Sequence, residues 1–419
     1  MKEVKRENMV DKVDKIFDAI ASNSLFKNKT VLQSNYTPET IFHREEQIES
    51  IASILAPALR GEKVSNLFLY GNTGTGKTLS IQHVGSKLLS KNKERGDDNL
   101  QFVYVNCKLS KSSETEYRIL ARIIGALGSS VPSTGLPTSD VYSRFTELID
   151  KKKQIVLIVL DEIDNAIEKI GDSFIYSLIR LNSELKNAQI NIVGISNNAT
   201  FMDHLDPRVR SSLGEEEIIF SPYDALQLQD ILKKRADQAF NSGVLDEGVV
   251  GKCAAYAARE HGDARRALDL LRVAAEITER EGRHKISEND IDRAKEKIER
   301  DKMLDIIEGE PKQFQLVLYA MMYLDEKREK NKLLNGEMGD CMYTGEIYNA
   351  YKEICNNLKV EFLTQRRVSD ILGEFDMLGV INAKEISKGR YGRTREIKIM
   401  LTPNIKIKAK EIIEKSLEI

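Results

Sequence analysis

The segment from Gly71 to Thr78, Gly-Asn-Thr-Gly-Thr-Gly-Lys-Thr, constrains the fold more than any other part of this 419-residue chain. A short apolar run of strand length, residues 66–70, precedes it, and apolar residues at helical spacing follow over residues 79–89. A glycine-rich turn between a strand and a helix lets backbone N–H groups wrap around a polyphosphate. The pattern therefore predicts an α/β domain with a phosphate-binding loop, in a chain that binds a nucleoside triphosphate.

All eight residues of this loop are expected to surround the phosphates of a nucleotide. They are Gly71, Asn72, Thr73, Gly74, Thr75, Gly76, Lys77 and Thr78. In loops of this kind the lysine reaches the β- and γ-phosphates, and the hydroxyl of the last residue binds Mg²⁺. Lys77 and Thr78 are predicted to take these two roles, so ATP or ADP with Mg²⁺ are the expected ligands.

Strand and helix patterns alternate through residue 220. The strand candidates are residues 66–70, 101–106, 155–160, 190–195 and 216–220. Such alternation favours a parallel sheet that is covered by helices on both faces. Two helix patterns precede the first strand, one within the first 28 residues and one at 44–59. The most loop-like segments are residues 128–139 and 331–341.

Two further domains are predicted after the sheet. Amphipathic helices near 224–241, 246–260 and 263–281, with a fourth starting after Ser287, predict a small all-helical domain. Helices near 312–329, 343–358 and 364–378 then precede strand candidates at 380–387 and 394–400. That order is typical of a winged helix-turn-helix. The predicted domains are residues 1–220, 221–297 and 298–419.

Charge and cysteine content exclude several classes of protein. The net charge is -2, from 63 Lys+Arg against 65 Asp+Glu, so any contact with nucleic acid must come from a local basic patch. The four cysteines are far apart and form no C-x-x-C pair, which favours reduced thiols in a cytosolic protein. The sequence shows neither a membrane span nor a secretory signal. We therefore expect a cytoplasmic protein with no membrane partner.

Polar residues follow two of the predicted strands. The apolar run 156–160 ends in Asp161 and Glu162, and Asn197 comes just after the strand at 190–195. Ligands of open α/β sheets bind at the carboxyl ends of the strands. Asp161 is expected to hold Mg²⁺, Glu162 to deprotonate the attacking water, and Asn197 to hydrogen-bond the γ-phosphate or that water. The alternative reading is a pair of capping acids and an ordinary turn asparagine.

These motifs together resemble those of a known family. Their spacing, with Leu205–Leu213 and Gly262–Arg272 further along the chain, looks like that of an AAA+ ATPase. With residues 36–48 ahead of the loop and a winged helix at the end, the chain resembles the archaeal replication initiators of the origin-recognition and Cdc-six group. The resemblance spans roughly residues 30–419. It implies an α/β AAA+ P-loop NTPase with a helical lid, followed by a winged helix-turn-helix domain.

The resemblance also implies roles for individual residues. Asn197 matches the sensor 1 position, and Arg265 matches the sensor 2 arginine of the lid, with Arg266 as its alternative. Arg208 or Arg210 is similar to the arginine finger offered to a neighbouring subunit. Arg265 is expected to touch the γ-phosphate from the lid. The other expected contacts to the nucleotide are Tyr36, Pro38, Arg44, Tyr223 and Arg235. Position 42 is Phe where the family pattern has Pro.

The predicted helix at 364–378 carries the first candidate contacts to DNA. Its apolar residues form one stripe at helical spacing, namely Val368, Ile371, Leu372, Phe375 and Leu378. Thr364 is positioned to cap the helix, which leaves Gln365, Arg366 and Arg367 in an outward first turn. Helix-turn-helix domains present this turn to the major groove, where Arg reads guanine and Gln reads adenine.

Two loops carry the other candidate contacts to DNA. The wing is basic, and its tip contains Lys388, Arg390, Tyr391 and Arg393. The loop with Thr134 and Gly135 matches a helical insertion through which the family contacts origin DNA. The alternatives are a winged helix that binds protein, a solvated basic hairpin and a plain surface loop.

The expected function is that of an ATP-dependent initiator of DNA replication. Such a protein binds double-stranded origin DNA and helps to recruit or load the replicative helicase, acting with paralogous initiators or with copies of itself. Its ATP hydrolysis would serve as a slow switch at the cytoplasmic nucleoid. The alternatives are a clamp-loader-like or other remodelling ATPase, and an ATP-gated winged-helix transcription regulator.

Overall fold

A computed structural model of the protein describes residues 24–34, 36–108, 115–132, 135–198, 200–335, 341–387 and 393–417. The chain divides into two compact units, one ending at Asp292 and the other beginning at Arg293. The helix predicted near the N-terminus falls largely on residues 1–23, which lie outside the described residues. No helix within the described ranges is long and apolar enough to cross a membrane.

The first unit is built on a parallel sheet of five strands. The strands are β1 (Asn66–Tyr70), β2 (Leu100–Asn106), β3 (Gln154–Asp161), β4 (Ala188–Ser196) and β5 (Glu215–Ile219). Their order in the sheet is β2-β3-β4-β1-β5, and every neighbouring pair is parallel. The carboxyl ends of all five strands therefore share one edge of the sheet, and the prediction of a parallel α/β fold is confirmed.

Side chains of β3 alternate between two apolar cores. Val156, Ile158 and Leu160 pack in the core on one face of the sheet, whereas Ile155, Leu157 and Val159 pack in the core on the other face. Successive residues of a strand point to opposite faces, and every residue of β3 is buried. A strand whose residues 155–160 are all apolar thus lies between two other strands, in a sheet that is covered on both sides.

The described residues of this unit form seven helices before and between these strands. They are α1 (Glu45–Leu55), α2 (Lys77–Glu94), α3 (Glu116–Ala126), α4 (Thr138–Ile149), α5 (Ile163–Ile170), α6 (Ser173–Arg180) and α7 (Pro207–Leu213). Short 3-10 helices occur at Lys29–Leu32, Ala56–Arg60, Leu181–Ser183 and Phe201–His204. The loop predicted at 128–139 ends earlier than expected, because residues 138–139 belong to helix α4. The acid at Asp140 lies in the first turn, where it interacts favourably with the helix dipole.

The helical part of the first unit follows β5. It contains α8 (Ala225–Ala239), α9 (Val249–Arg259), α10 (Ala264–Arg280) and the start of α11 (Glu288–Gly309). Side-chain caps define where these helices begin: the Asp224 carboxylate accepts from the backbone N–H of Gln227, and Asp263 caps α10. Such caps satisfy the unpaired N–H groups of a first turn.

The second unit is a winged helix. Its elements are α12 (Lys312–Asn335), β6 (Met342–Tyr343), α13 (Thr344–Asn357), α14 (Gln365–Met377), β7 (Ile381–Ser387), β8 (Arg393–Ile399) and α15 (Pro403–Leu417). The three strands form an antiparallel sheet in the order β6-β8-β7. Its core contains Tyr351, Leu372 and Phe375. The predicted order of three helices and a hairpin is confirmed.

The structure differs from the predictions for the second unit in three elements. Residues 331–335 are helical, although they were expected in a loop, because Asn-Lys-Leu-Leu-Asn contains good helix formers and the glycine comes only at 336. Strand β6 is too short to leave a sequence pattern. Helix α15 was missed because Ile405 and Ile407 alternate with lysines, which is the pattern of a strand.

Candidate functional site

A cavity of about 860 Å³ opens at the carboxyl edge of the parallel sheet. Four parts of the first unit line it: the segment ahead of α1, the glycine-rich loop, the strand ends and the helices after β5. The predicted residues on its wall are Tyr36, Pro38, Thr73, Gly74, Thr75, Gly76, Lys77, Thr78, Asp161, Glu162, Asn197, Tyr223, Arg235 and Arg265. The structure thus brings together most of the residues that the sequence singled out for nucleotide chemistry.

The shape of the loop depends on its glycines. The backbone φ angles of Gly71, Gly74 and Gly76 are 148°, 71° and 94°, values that L-residues rarely adopt. A Cβ atom on Gly71 would lie 2.3 Å from the carbonyl oxygen of Phe220, and one on Gly76 would lie 2.9 Å from the Tyr223 hydroxyl. The chain passes from this loop directly into α2. The free backbone N–H groups at the start of α2 can bind an anion.

Lys77 places its charge inside the loop. Its Nζ donates to the carbonyl oxygens of Gly71 and Asn72, both at 2.7 Å, and to Oδ1 of Asn197 at 3.0 Å. Burial lowers the pKa of Lys77 to about 8, with the Asp161 carboxylate opposing and the Arg265 charge assisting the shift. An anionic ligand in the cavity would reverse this effect, because a negative charge stabilises the protonated amine.

Three donors converge on the carboxylate of Asp161. Oδ2 accepts from the Thr78 hydroxyl at 2.8 Å and from the Tyr104 hydroxyl at 2.6 Å, while Oδ1 accepts from the backbone N–H of Glu162 at 2.9 Å. Asp161 is only 5% exposed. Tyr104 was not predicted as a site residue, although its place on a strand two residues before a polar end was visible in the sequence.

This arrangement fits Mg²⁺ with a nucleotide rather than a dedicated metal cage. No group of three or more His, Cys, Asp or Glu that could hold a metal occurs among the described residues. Mg²⁺ is usually held by one or two carboxylates together with substrate phosphates and waters. One buried carboxylate with an adjacent hydroxyl, as Asp161 and Thr78 provide, meets that requirement.

Glu162 has a backbone conformation that is uncommon for its residue type. Its φ is 56° and its ψ 44°, at the position just before α5. Its Oε2 lies 3.3 Å from Nζ of Lys108 and accepts from Nδ2 of Asn165 at 3.4 Å. Left-handed backbone at a non-glycine residue costs free energy and tends to occur at functional sites. The strand end and this turn together place the Glu162 carboxylate on the wall of the cavity.

Asn197 links the ends of β4 and α2. Its side chain accepts from Lys77, and its backbone N–H donates to Oδ2 of Asp164 at 3.4 Å. A neutral amide in this position can orient a polar group of a ligand without adding charge. The parallel pairing of β3 with β4 brings it close to Asp161.

The start of α10 contacts the glycine-rich loop directly. The backbone N–H of Ala264 donates to the carbonyl oxygen of Gly74 at 3.4 Å, and the Thr73 hydroxyl donates to Oδ2 of Asp263 at 3.4 Å. Asp263 also caps the helix by accepting from the backbone N–H of Arg265 at 2.8 Å. The contact between Asp263 and the loop was not predicted, though an aspartate before an amphipathic helix is a sequence signal for a cap.

The two candidate sensor 2 arginines differ in their surroundings. Arg265 lines the cavity and lies close enough to Lys77 to lower the pKa of that lysine. Arg266 instead donates from Nε to Oε2 of Glu260 at 2.9 Å. The structure therefore places Arg265, and not Arg266, at the cavity.

Arg44 is a buried connector between the loop and the chain that leads into α8. Its Nε donates to the carbonyl oxygen of Thr75 at 2.8 Å and its Nη2 to that of Ser221 at 2.5 Å. The guanidinium also lies 3.8 Å from the centre of the Tyr223 ring. Burial lowers its pKa. These contacts occupy the guanidinium, so Arg44 holds the wall of the cavity from behind.

Two cations of α8 face aromatic rings across the cavity. The Arg235 guanidinium lies 4.5 Å from the centre of the Tyr36 ring, and Lys234 Nζ lies 3.3 Å from that of Phe42. Arg235 is only 9% exposed. Its Nη1 is a buried donor without a hydrogen-bond partner among the described residues. A buried donor of this kind is costly unless a ligand satisfies it.

Arg208 and Arg210 lie apart from the cavity. Arg208, in the first turn of α7, is 90% exposed and is 3.6 Å from Asp206. Arg210 pairs with Asp203 at 3.2 Å. Both side chains face solvent, so neither belongs to the site of its own chain.

The predicted recognition helix is α14. Thr364 caps it by accepting from the backbone N–H of Arg367, and Gln365, Arg366 and Arg367 are exposed. Arg367 lies 3.9 Å from Asp370 and 3.8 Å from Glu374. Four residues of the predicted stripe are buried, but Leu378 is 37% exposed. That part of the prediction was wrong because the helix ends at Met377, and Leu378 follows it as the cap.

The other predicted DNA contacts fall mostly outside the described residues. Thr134 lies there, and so do Lys388, Arg390 and Tyr391. Arg393 begins strand β8. Gly135 is exposed and has a φ of 101° in the turn that precedes α4.

Fold and site together define the class of the protein, an AAA+ ATPase with a helical lid and a winged helix. The AAA domain family matches residues 62–199. The Cdc6 AAA+ ATPase-type lid domain matches residues 229–296, and the CDC6 C-terminal winged helix domain matches residues 305–409.

Whole-chain comparisons identify the family. The ORC1-type DNA replication protein of Thermococcus onnurineus is 52% identical over 396 residues, which are 93% of this chain and 92% of that protein. ORC1-type DNA replication protein 1 of Methanosarcina mazei is 47% identical and covers 94% of this chain and 92% of its own length. The chain therefore belongs to the family of ORC1-type DNA replication proteins, as the resemblance of its motifs indicated.

A solved structure extends this similarity to three dimensions. The Aeropyrum pernix ORC1 protein in complex with DNA has a TM-score of 0.78 and 42% sequence identity. The alignment covers 93% of this chain and 97% of that chain.

Proposed function

We propose that this protein is an ATP-dependent initiator of DNA replication. It binds double-stranded origin DNA and helps to recruit or load the replicative helicase at the nucleoid. One observation carries the proposal: a single cavity gathers Lys77, Asp161 and Asn197 from the sheet with Arg265 from the lid. A nucleotide in that cavity would contact both parts and would set the position of one relative to the other.

The glycine-rich loop binds the phosphates, and the strand ends provide the groups for Mg²⁺ binding and hydrolysis. Residues 71–78 hold the phosphates, with Lys77 as their cation, and Thr78 and Asp161 hold Mg²⁺. When bound, Mg²⁺ neutralises charge on the phosphate oxygens. Glu162 accepts the proton of the attacking water, and Asn197 orients that water or the γ-phosphate. The convergence of these groups on one cavity supports the assignment.

The nucleoside lies between the N-terminal segment and the lid. Tyr36 and Pro38 pack against the base, and the buried donor of Arg235 hydrogen-bonds to the nucleotide. Tyr223 closes the wall, with Arg44 stacked behind it. Arg44 thus contributes by supporting Tyr223 and the loop, since its own donors bond to main-chain oxygens.

Hydrolysis is slow and serves as a switch. The Glu162 carboxylate already contacts Lys108, at 3.3 Å, and it must leave that contact to take a proton from an attacking water. The lid contacts the loop through Asp263 and Ala264, so a change at the γ-phosphate reaches the lid through short contacts. Arg208, which is exposed, would complete the site of a neighbouring subunit.

DNA binds through both units. The exposed first turn of α14, with Gln365, Arg366 and Arg367, reads the major groove, and the wing around Lys388, Arg390, Tyr391 and Arg393 follows the duplex beside it. The loop with Thr134 and Gly135 adds a contact from the ATPase unit. Support comes from the related Aeropyrum pernix ORC1 protein, which was solved in complex with DNA. The functional domains are then residues 1–220, 221–297 and 298–419.

Protection mapping tests the proposal. Duplex DNA flanking the gene of this protein is incubated with the full chain and ATP, and we expect one compact protected region. Lys77→Ala should lose ATP binding, whereas Glu162→Gln should bind ATP and lose hydrolysis. Genome-wide footprinting completes the test: binding at many promoters, in place of one origin-like locus, would contradict an initiator and indicate a transcription regulator. Rapid ATP turnover stimulated by any duplex would indicate a remodelling ATPase instead.

A further inference from the structure

Tyr104 lies on β2 beside the strand that ends in Asp161. Residues 104 and 106 of β2 pair in parallel with Val159 and Asp161 of β3. This register brings the Tyr104 side chain to the wall of the cavity, next to the two acids. Its hydroxyl donates to Oδ2 of Asp161 at 2.6 Å, across 57 positions of sequence.

The Tyr104 hydroxyl is part-buried where it donates to Asp161. Burial raises the pKa of Tyr104 above its ordinary value, and the hydrogen bond to Asp161 raises it further.

Oδ2 of Asp161 has a second donor with a different task. The Thr78 hydroxyl donates to the same oxygen at 2.8 Å, and Thr78 is also the residue expected to ligate Mg²⁺. A carboxylate turns with little resistance about its terminal torsion, because that torsion is broad. The hydrogen bond from Tyr104 holds Oδ2 in place even when the Thr78 hydroxyl turns from Asp161 to bind Mg²⁺.

We propose that Tyr104 is a positioning residue for the Mg²⁺ site, which fixes the orientation of the Asp161 carboxylate without touching the nucleotide. The inference rests on the proposed function, since it concerns the metal of that site. Partners that orient a metal-binding group typically contribute 10- to 100-fold to metal affinity. Tyr104 should therefore set the Mg²⁺ concentration that the protein needs, and leave its affinity for metal-free nucleotide unchanged.

The test compares ADP binding with and without the metal. ADP affinity of the full chain is measured by calorimetry in EDTA and then across a Mg²⁺ titration, for the natural protein and for Tyr104→Phe. We expect the Mg²⁺ concentration that gives half of the change in ADP affinity to be about tenfold higher in Tyr104→Phe than in the natural protein. ADP affinity in EDTA should stay within about twofold, since the ring keeps its shape and only one oxygen is removed.

Tyr142→Phe is the matched control. Tyr142 is another half-buried tyrosine of the same unit, and its hydroxyl donates to a carboxylate oxygen of Glu116 away from the cavity. Loss of that hydroxyl should leave the Mg²⁺ titration as it is in the natural protein. A shift in both variants would assign the effect to general loosening of the domain and would overturn the proposal.

Two other outcomes would overturn it. An unchanged Mg²⁺ titration in Tyr104→Phe would show that Thr78 and the backbone suffice to hold Asp161. A loss of ADP affinity in EDTA would show that Tyr104 contacts the nucleotide itself. Asp161→Asn separates this inference from the proposed function. If Asp161→Asn also leaves the titration unchanged, the metal assignment fails; if only Asp161→Asn shifts it, the role of Tyr104 alone fails.

Discussion

Nucleotide binding should be linked to proton uptake by Lys77. Burial lowers the pKa of this lysine to about 8 in the absence of ligand. A bound polyphosphate favours the charged amine and should return its pKa to at least its ordinary value of about 10.4. Binding then takes up about 0.1 proton at pH 7 and about 0.9 proton at pH 9. Since binding requires the charged form, affinity should fall roughly tenfold between these pH values.

Calorimetry measures this uptake directly. The enthalpy of binding a non-hydrolysable ATP analogue is compared in buffers of different ionisation enthalpy, at pH 7, 8 and 9. Replacing Arg265 provides a second comparison, because the charge of Arg265 helps to lower the pKa of Lys77. In Arg265→Ala the midpoint of proton uptake should move to higher pH. Arg266→Ala is the matched control, since that arginine is paired with Glu260, and its midpoint should not move.

The reasoning is refuted by two results. Uptake at pH 9 no larger than at pH 7 would mean that Lys77 is fully charged in the free protein. A midpoint that moves equally in Arg265→Ala and Arg266→Ala would mean that the two charges act from a distance and that Arg265 has no special place near the loop. Either result would also remove the electrostatic reason for placing the phosphates beside Lys77.

Three further predictions concern single arginines. Arg265→Ala should lower the rate of ATP hydrolysis by about 10²-fold or more, as loss of a transition-state donor does, and Arg266→Ala should leave the steady-state rate unchanged. Arg235→Ala should weaken ADP binding roughly tenfold in a fluorescence titration, because one buried hydrogen bond is lost. Arg366→Ala should cost about 1–3 kcal/mol at one base pair of the DNA site in competition binding, and Arg367→Ala should cost less, because acids of α14 already partner it.

The parts of the site that the sequence predicted are those next to the strands. The alternation of strand and helix patterns predicts a parallel sheet. The residues that follow its strands must then lie at one edge of the sheet. Asp161, Glu162 and Asn197 are placed by that rule alone, whatever the order of the strands. Arg265 lacked this support, and its place depended on the resemblance to the family.

The parts that the sequence did not predict depend on which elements become neighbours. Tyr104 meets Asp161 because β2 lies beside β3, and no periodic pattern within β2 contains that information. Arg44 lies between the carbonyl oxygens of Thr75 and Ser221, which are far apart along the chain. A donor bonded to main-chain oxygen leaves no partner residue type to recognise in a sequence. The resemblance to the family gave Arg44 as a contact to the nucleotide and did not indicate these two hydrogen bonds.

The lid and the loop are joined by two independent sets of contacts. One is direct, from Asp263 and Ala264 to the loop. The other passes from Thr75 through Arg44 to Ser221, ahead of α8. Movement of the lid therefore requires these hydrogen bonds to break or the loop to move with it. These contacts give the proposed nucleotide switch a path between the loop that would hold the phosphates and the lid.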